Sequence, residues 1–218
     1  MPKVALILSG CGVQDGAEIH EAVLCLVALQ KAGAEIVYCA PDMEFISVNH
    51  LTGKPAEKRN VLVEAARIAR GDIRDIAKVS AKDVDAAVLP GGFGAAKNLC
   101  TFAVDGPACK VNEPTAKLLR DLKAAGKPIG AACIAPALIA KLFGADNHPE
   151  LTIGSDAGTA KAIESLGAKH TTATAAQAVV DRKNRIVTTP AYMCAKNAAE
   201  AAPGIEAMVR EVLALIPK

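Results

Sequence analysis

Short, unbroken apolar runs that each stop at a glycine- or proline-rich turn and give way to a segment of helical period constrain this chain most. Val4 to Ser9 is such a run; the loop Gly10-Cys11-Gly12-Val13-Gln14-Asp15-Gly16 follows, and apolar residues then recur at helical spacing from Ala17 to Ala32, with Gly33 as the cap. Ala34 to Cys39 is a second run, broken by Pro41-Asp42, and Asp85 to Leu89 is a third, ending in Pro90-Gly91-Gly92-Phe93-Gly94. A helix from Asn112 to Ala125, stopped at Gly126, leads into Pro128-Ile129-Gly130-Ala131-Ala132. A strand apolar at successive positions is covered on both faces, and parallel strands obtain that cover from their crossover helices. Right-handed crossovers then predict a doubly wound α/β fold with a mainly parallel sheet and helices on both faces.

Elsewhere the rhythm weakens. Phe45 to Asn60 is turn-rich and predicts a small excursion, followed by a helix from Val61 to Arg70. In the last third, Leu151 to Gly154, Lys169 to Thr171, Ala178 to Asp181 and Ile186 to Thr189 are candidate strands, and a closing helix runs from Cys194 to Leu215 with an interruption at Pro203-Gly204. At 218 residues, without a linker or internal repeat, residues 1–218 are expected to form a single domain. The net charge of +2 carries no basic runs, and aromatic residues make up only 3%, which argues against a nucleic-acid partner. No apolar stretch reaches the length of a membrane span, and the amino terminus is too short an apolar stretch for a signal peptide, so the expected setting is soluble and cytoplasmic.

The seven cysteines fall at positions 11, 25, 39, 100, 109, 133 and 194, with no Cys-x-x-Cys pair and no histidine at metal-ligand spacing. A disulfide framework, a structural zinc and any other metal are therefore not expected. Cys25 on a helix face and Cys39 at a strand end read as small buried hydrophobes. Cys133 differs, because Ala132-Cys133-Ile134 joins one apolar run directly to the next, Ala135-Pro136-Ala137-Leu138-Ile139-Ala140. That is strand, sharp turn, helix. A cysteine there projects from the carboxyl end of a strand at the positive end of a helix, which favours the thiolate and makes Cys133 the candidate nucleophile.

A thiol nucleophile needs a proton carrier and backbone N–H groups aimed at the developing oxyanion. Ile134 supplies one natural N–H donor and the Gly91-Gly92 turn, at Gly92, a second. Glu18 and Glu21, three residues apart on the first turns of the first helix, are the carboxylate candidates; the bland alternative is that they only complement the helix dipole. A carboxyl beside the thiol is expected to hold a proton at rest or to share one with the sulfur. His20, His50 and His170 read as structural, and His148-Pro149-Glu150 follows the cysteine too closely to serve as its base. The loop from Gly10 to Gly16 resembles a dinucleotide fingerprint, but its third glycine comes one position late and Asp15 would face the phosphates.

Leu89-Pro90-Gly91-Gly92 with Phe93 to Leu99, and Cys133-Ile134-Ala135-Pro136, resemble the ThiJ/PfpI superfamily of class I glutamine amidotransferase-like proteins. Ile7 to Val13, Asp15 to Val23 and Thr188-Thr189-Pro190-Ala191-Tyr192-Met193 are similar, more narrowly, to its ElbB group, described as enhancing lycopene biosynthesis proteins and glyoxalases. The resemblance implies a flavodoxin-like sandwich, a homodimer, an exposed elbow cysteine matching Cys133 and a helix-one glutamate matching Glu21, with Glu18 as second choice. Two positions depart from the protease-like members: Ile134 stands where histidine is common, and Ala135 where glycine is usual. The function implied is a cofactor-independent glyoxalase that converts a small aldehyde, glyoxal or methylglyoxal, to a 2-hydroxy acid. A cysteine-based redox or electrophile sensor and a glutaminase-like amidotransferase subunit are the alternatives.

Overall fold

The computed structural model describes residues 1–217. The chain opens with β1 (Lys3–Ile7), α1 (Ile19–Lys31), β2 (Glu35–Ala40), the strands β3 (Glu44–Asn49) and β4 (Lys54–Asn60), α2 (Val61–Ala65) and β5 (Arg74–Asp75). The middle holds β6 (Ala86–Leu89), α3 (Phe93–Lys97), α4 (Phe102–Asp105), α5 (Glu113–Ala124), β7 (Ile129–Ala132) and α6 (Pro136–Asn147). It closes with β8 (Glu150–Leu151), α7 (Ala157–Ser165), β9 (Lys169–His170), β10 (Val179–Asp181), β11 (Ile186–Thr189) and α8 (Ala198–Ala214).

Seven strands form the main sheet in the order β10-β11-β7-β6-β1-β2-β5. Every pairing is parallel except that of β10 with β11 at one edge. This is the expected flavodoxin-like α/β architecture. The unbroken apolar runs arise because alternate residues enter opposite cores: Ala5 and Ile7 of β1 join Ala87 and Leu89 of β6, beneath Leu118, Leu119 and Leu122 of α5. Val4, Leu6, Ala86 and Val88 face the other way, onto Cys25 and Leu29 of α1 and Ile205, Met208 and Val212 of α8. Each fully buried leucine in these layers contributes about 1.5–3 kcal/mol relative to exposure. Gly130 in β7 lets α8 come close, since a Cβ there would sit 2.8 Å from Val212 Cγ2.

Several boundaries differ from the sequence expectation. The excursion at residues 45–60 is a β-hairpin, β3 against β4. Its β4 strand is exposed over Lys54 to Lys58 and carries no apolar alternation to betray it. The helix expected to Arg70 ends at Ala65. The first helix begins at Ile19 and not at Ala17, because Glu18 caps it, its carboxylate accepting from the N–H of Glu21 at 2.7 Å. The candidate strands at 151–154 and 169–171 shrink to β8 and β9, which pair with each other outside the main sheet. The closing helix starts at Ala198 behind an Asn197 cap and continues through Pro203, its apolar face held by Ala201, Ile205, Met208, Val209 and Val212. α7 and the short β5 had no distinct signal.

α7 also offers a simple test of local packing. Gly158 lies in its first turn, where an added Cβ would meet only Asp156 Oδ1 at an ordinary 3.5 Å. Gly158→Ala is expected to stabilise the protein by about 0.4–1 kcal/mol, read as a shifted urea midpoint with unchanged slope.

Candidate active site

Three loops meet at the carboxyl edge of the sheet. The backbone of Glu18 donates to Gly91 O at 3.0 Å, Phe93 to Val13 O at 2.8 Å and Gly94 to Gly16 O at 2.9 Å. Asn98 fastens the same corner from below, its Nδ2 donating to the carbonyls of Ser9 and Asp15 at 2.8 Å each. Gly92, at φ +91°, has no room for a side chain: a Cβ would fall 2.4 Å from both Glu18 N and Gly16 O. The glycines of the first loop are likewise used in closing it, since Gly16 packs against the backbone of Cys11 and Gly12 against the His50 ring. They do not form an open phosphate cradle.

β7 ends in the elbow. The N–H of Cys133 still donates to Thr189 O at 2.9 Å, prolonging the pairing with β11, while its φ of +59° turns the chain out of the sheet. A positive φ is costly for a residue with a Cβ and is retained where surrounding structure enforces it. The helix that follows starts at Pro136, one residue into the apolar run that opens at Ala135, and a proline in the first turn lacks only an N–H that would be unpaired there.

Glu21, rather than Glu18, stands beside Cys133. Its carboxyl is fully buried and held from both sides, Oε2 by the N–H of Gly91 at 2.8 Å and Oε1 by the N–H of Tyr192 at 3.1 Å. It is also a neighbour of the Cys133 thiol, since a Cβ added at Gly91 would lie 2.7 Å from Glu21 Oε2 and 3.0 Å from Cys133 Sγ. The N–H groups of Gly92 and Ile134, the two backbone donors anticipated from sequence, pull the pKa of the Cys133 thiol downward. Glu18 instead caps α1 and lines the opening.

Charge behaves differently from the simple elbow expectation. Burial, then the neighbouring Glu21 charge, push the Cys133 thiol well above its ordinary range, against the pull of the Gly92 and Ile134 N–H groups. The thiolate is therefore not the resting form, which corrects the expectation that the helix dipole favours it. Burial raises Glu21 to about 7, opposed by the N–H of Tyr192, the thiol and the N–H of Gly91. Near neutrality the thiol therefore keeps its proton while Glu21 loses its own. Alkylation of Cys133 by iodoacetamide is accordingly expected to be slow at pH 7 and still accelerating at pH 9; a rate already level by pH 7 would contradict this.

A pocket of about 350 Å³ opens above the sulfur, lined by Val13, Glu18, Gly92, Phe93, Ile134, Thr159, Tyr192 and Met193. The Tyr192 hydroxyl at its mouth is 2.7 Å from His20 Nδ1. Sequence reasoning did not single out Tyr192, yet a signal existed: Thr189 pairs with Ala132, so the residues after β11 must emerge beside the elbow. Thr159 and Met193 were missed with it. Three of the four histidines are engaged elsewhere: His148 Nδ1 is bound to Gly167 O at 2.8 Å, His170 meets the Ile153 N–H, and His50 bonds Val48 O; His20 meets the site through the Tyr192 hydroxyl. Cys11 opens on a separate polar cavity with Asp15, His50, Arg59 and Arg67. Among the described residues no cluster of three or more His, Cys, Asp or Glu side chains could hold a metal.

A parallel sheet with a strained cysteine elbow, a glutamate from the first helix and a Pro-Gly-Gly loop defines the amidotransferase-like class of α/β proteins, and known proteins narrow the assignment. No family model matches the chain. It is 52% identical to a human protein, glutamine amidotransferase-like class 1 domain-containing protein 3, mitochondrial, over 99% of this chain and 84% of that one. It is 51% identical to the rat ES1 protein homolog, mitochondrial, over 99% and 85% of the respective chains. The crystal structure of an isoprenoid biosynthesis protein with amidotransferase-like domain from Ehrlichia chaffeensis superposes with a TM-score of 0.93 at 33% identity, covering all of both chains. Drosophila melanogaster DJ-1beta, at 18% identity and TM-score 0.59 over 99% and 96% of the chains, shares the fold. The chain belongs to the class 1 glutamine amidotransferase-like family of ES1 and ElbB-like proteins, and it shares the fold of DJ-1/ThiJ/PfpI-like proteins. The expected cytoplasmic setting is overturned by the same comparison, because the human and rat relatives are mitochondrial.

Proposed function

We propose that this protein is a cofactor-independent glyoxalase acting on 2-oxoaldehydes such as glyoxal and methylglyoxal. The observation that carries the reading is the buried Cys133–Glu21 pair, a protonated thiol packed beside a carboxyl that titrates near neutrality. Sulfur bonds to the aldehyde carbon as the thiol proton passes through Glu21 to the carbonyl oxygen, giving a hemithioacetal. Ionised Glu21 then takes the C–H proton of that carbon to give an enediolate, the hydroxyl proton passes to the neighbouring oxygen, and Glu21 returns its proton to the adjacent carbon, leaving a thioester. Water cleaves the thioester to the 2-hydroxy acid and restores the thiol. The N–H groups of Gly92 and Ile134 stabilise negative charge at the elbow. The largely apolar walls at Val13, Phe93, Ile134 and Met193 suit the alkyl end of such a substrate.

The raised thiol weighs against a sensor that depends on a resting thiolate, and the position of His148 weighs against a glutaminase. Purified protein is expected to convert methylglyoxal to lactate without glutathione, with Cys133→Ala inactive. Equal consumption by wild type and Cys133→Ala would refute the assignment.

A further inference from the structure

Two other cysteines meet away from the elbow. Cys100 and Cys109 flank the segment that carries α4, and both are buried, at 3% and 1% exposure. The strips that bear them run antiparallel. Cys100 bridges Val111, the N–H of Thr101 donates to Lys110 O at 2.9 Å, and that of Asn112 to Leu99 O at 2.8 Å. In that register Cys100 and Cys109 are diagonal neighbours on one face, close enough for each thiol to perturb the other's titration. Cys100 belongs to the core beneath the sheet, whereas Cys109 belongs to neither core. The surface of the intervening segment is loosely held: Ala103, Val104 and Asp105 are exposed, Val104 by 79%.

We propose that Cys100 and Cys109 form a redox-active dithiol that closes to an intrachain disulfide with an oxidant of the glutathione-disulfide class. Lys141, whose Nζ donates to Pro107 O at 3.1 Å, brings a positive charge near Cys109 and makes it the first to react. Because both thiols are buried, reaction begins when residues 101–108 open. The Cys109 thiolate attacks one sulfur of the oxidant, that S–S bond breaks, and one glutathione thiolate leaves with the Cys109 proton. Cys100 then loses its proton and attacks the Cys109 sulfur of the mixed disulfide, expelling the second glutathione. Two protein thiols are oxidised and one disulfide is reduced to two glutathione thiols. Closing the bond removes the Cys100 thiol from its 3.3 Å contact with Ala95 O in α3, the short helix that begins at the pocket residue Phe93.

The test needs no knowledge of the substrate. Trypsin releases Asn98 to Lys110 as one peptide holding both cysteines. Native full-length protein is treated with glutathione disulfide, quenched with iodoacetamide under denaturing conditions and digested without reductant. The expected product is that peptide two hydrogens lighter than its dithiol form and free of alkyl groups, becoming doubly alkylated if dithiothreitol precedes the quench. In Cys100→Ser, the peptide is expected to retain one glutathione on Cys109. Doubly alkylated peptide from the native protein, or a peptide with glutathione on both cysteines, overturns the proposal.

Discussion

Glu21→Gln is expected to lower kcat/KM for methylglyoxal by about a hundred- to ten-thousand-fold, the range associated with removal of a positioned general base. Glutamine keeps the size of the side chain and can still accept the Gly91 N–H, but it cannot receive the thiol proton. The same substitution removes the charge that pushes the Cys133 thiol upward, so the sulfur should ionise more readily in the variant. Turnover and thiol acidity are thus expected to move in opposite directions: alkylation faster at a given pH, catalysis slower. Parallel loss of both would mean a collapsed pocket. With Glu21 near 7, wild-type kcat/KM should rise with pH through about 7 as the carboxylate forms, and that limb should vanish in Glu21→Gln. Stability carries the opposite sign. The folded value lies above the ordinary 4.5, so the stabilising contribution is full below about 4.5 and is lost as pH rises through about 7.

Gly91→Ala is expected to abolish turnover although it replaces no ionisable residue. A Cβ at this position would lie 2.4 Å from Cys133 Cβ, 2.7 Å from Glu21 Oε2 and 3.0 Å from Cys133 Sγ. All three atoms are fixed by their surroundings, so the added methyl must part the thiol from the carboxyl or displace the loop that supplies the Gly92 N–H. Overpacking of this kind costs about 1–3 kcal/mol. Loss of activity with a folded, modestly destabilised protein is the expected result; near-wild-type kcat/KM would show that contact between the two groups is dispensable.

Much of this site could be read from residue order because it depends on local chemistry. The elbow was visible as two apolar runs with only Cys133 and Ile134 between them, and the glycines at 91 and 92 announced a backbone that must pass close to something. The central strands were legible for the same reason, since Val4 to Leu8 and Ala86 to Leu89 serve two cores at once. Tyr192 was not legible, because its place follows from the pairing of β11 with β7, a relation between strands more than fifty residues apart. Nor did the sequence reveal the thiol's state: the pull of the backbone N–H groups at the elbow is outweighed by burial and by the charge of Glu21. The hairpin at 44–60 escaped because its charged outer strand buys no core, and β-pairing alone leaves no periodic mark.

Both oxygens of Glu21 are anchored, one to the loop after β6 and the other to the turn after β11. A carboxyl fixed in this way cannot swing around a substrate held on Cys133. In the proposed reaction it therefore removes and returns the migrating proton on the same side of the planar enediol, and the new stereocentre has a single handedness. Lactate formed from methylglyoxal should be one enantiomer, and a racemic product would reveal an enediol released to solvent before reprotonation.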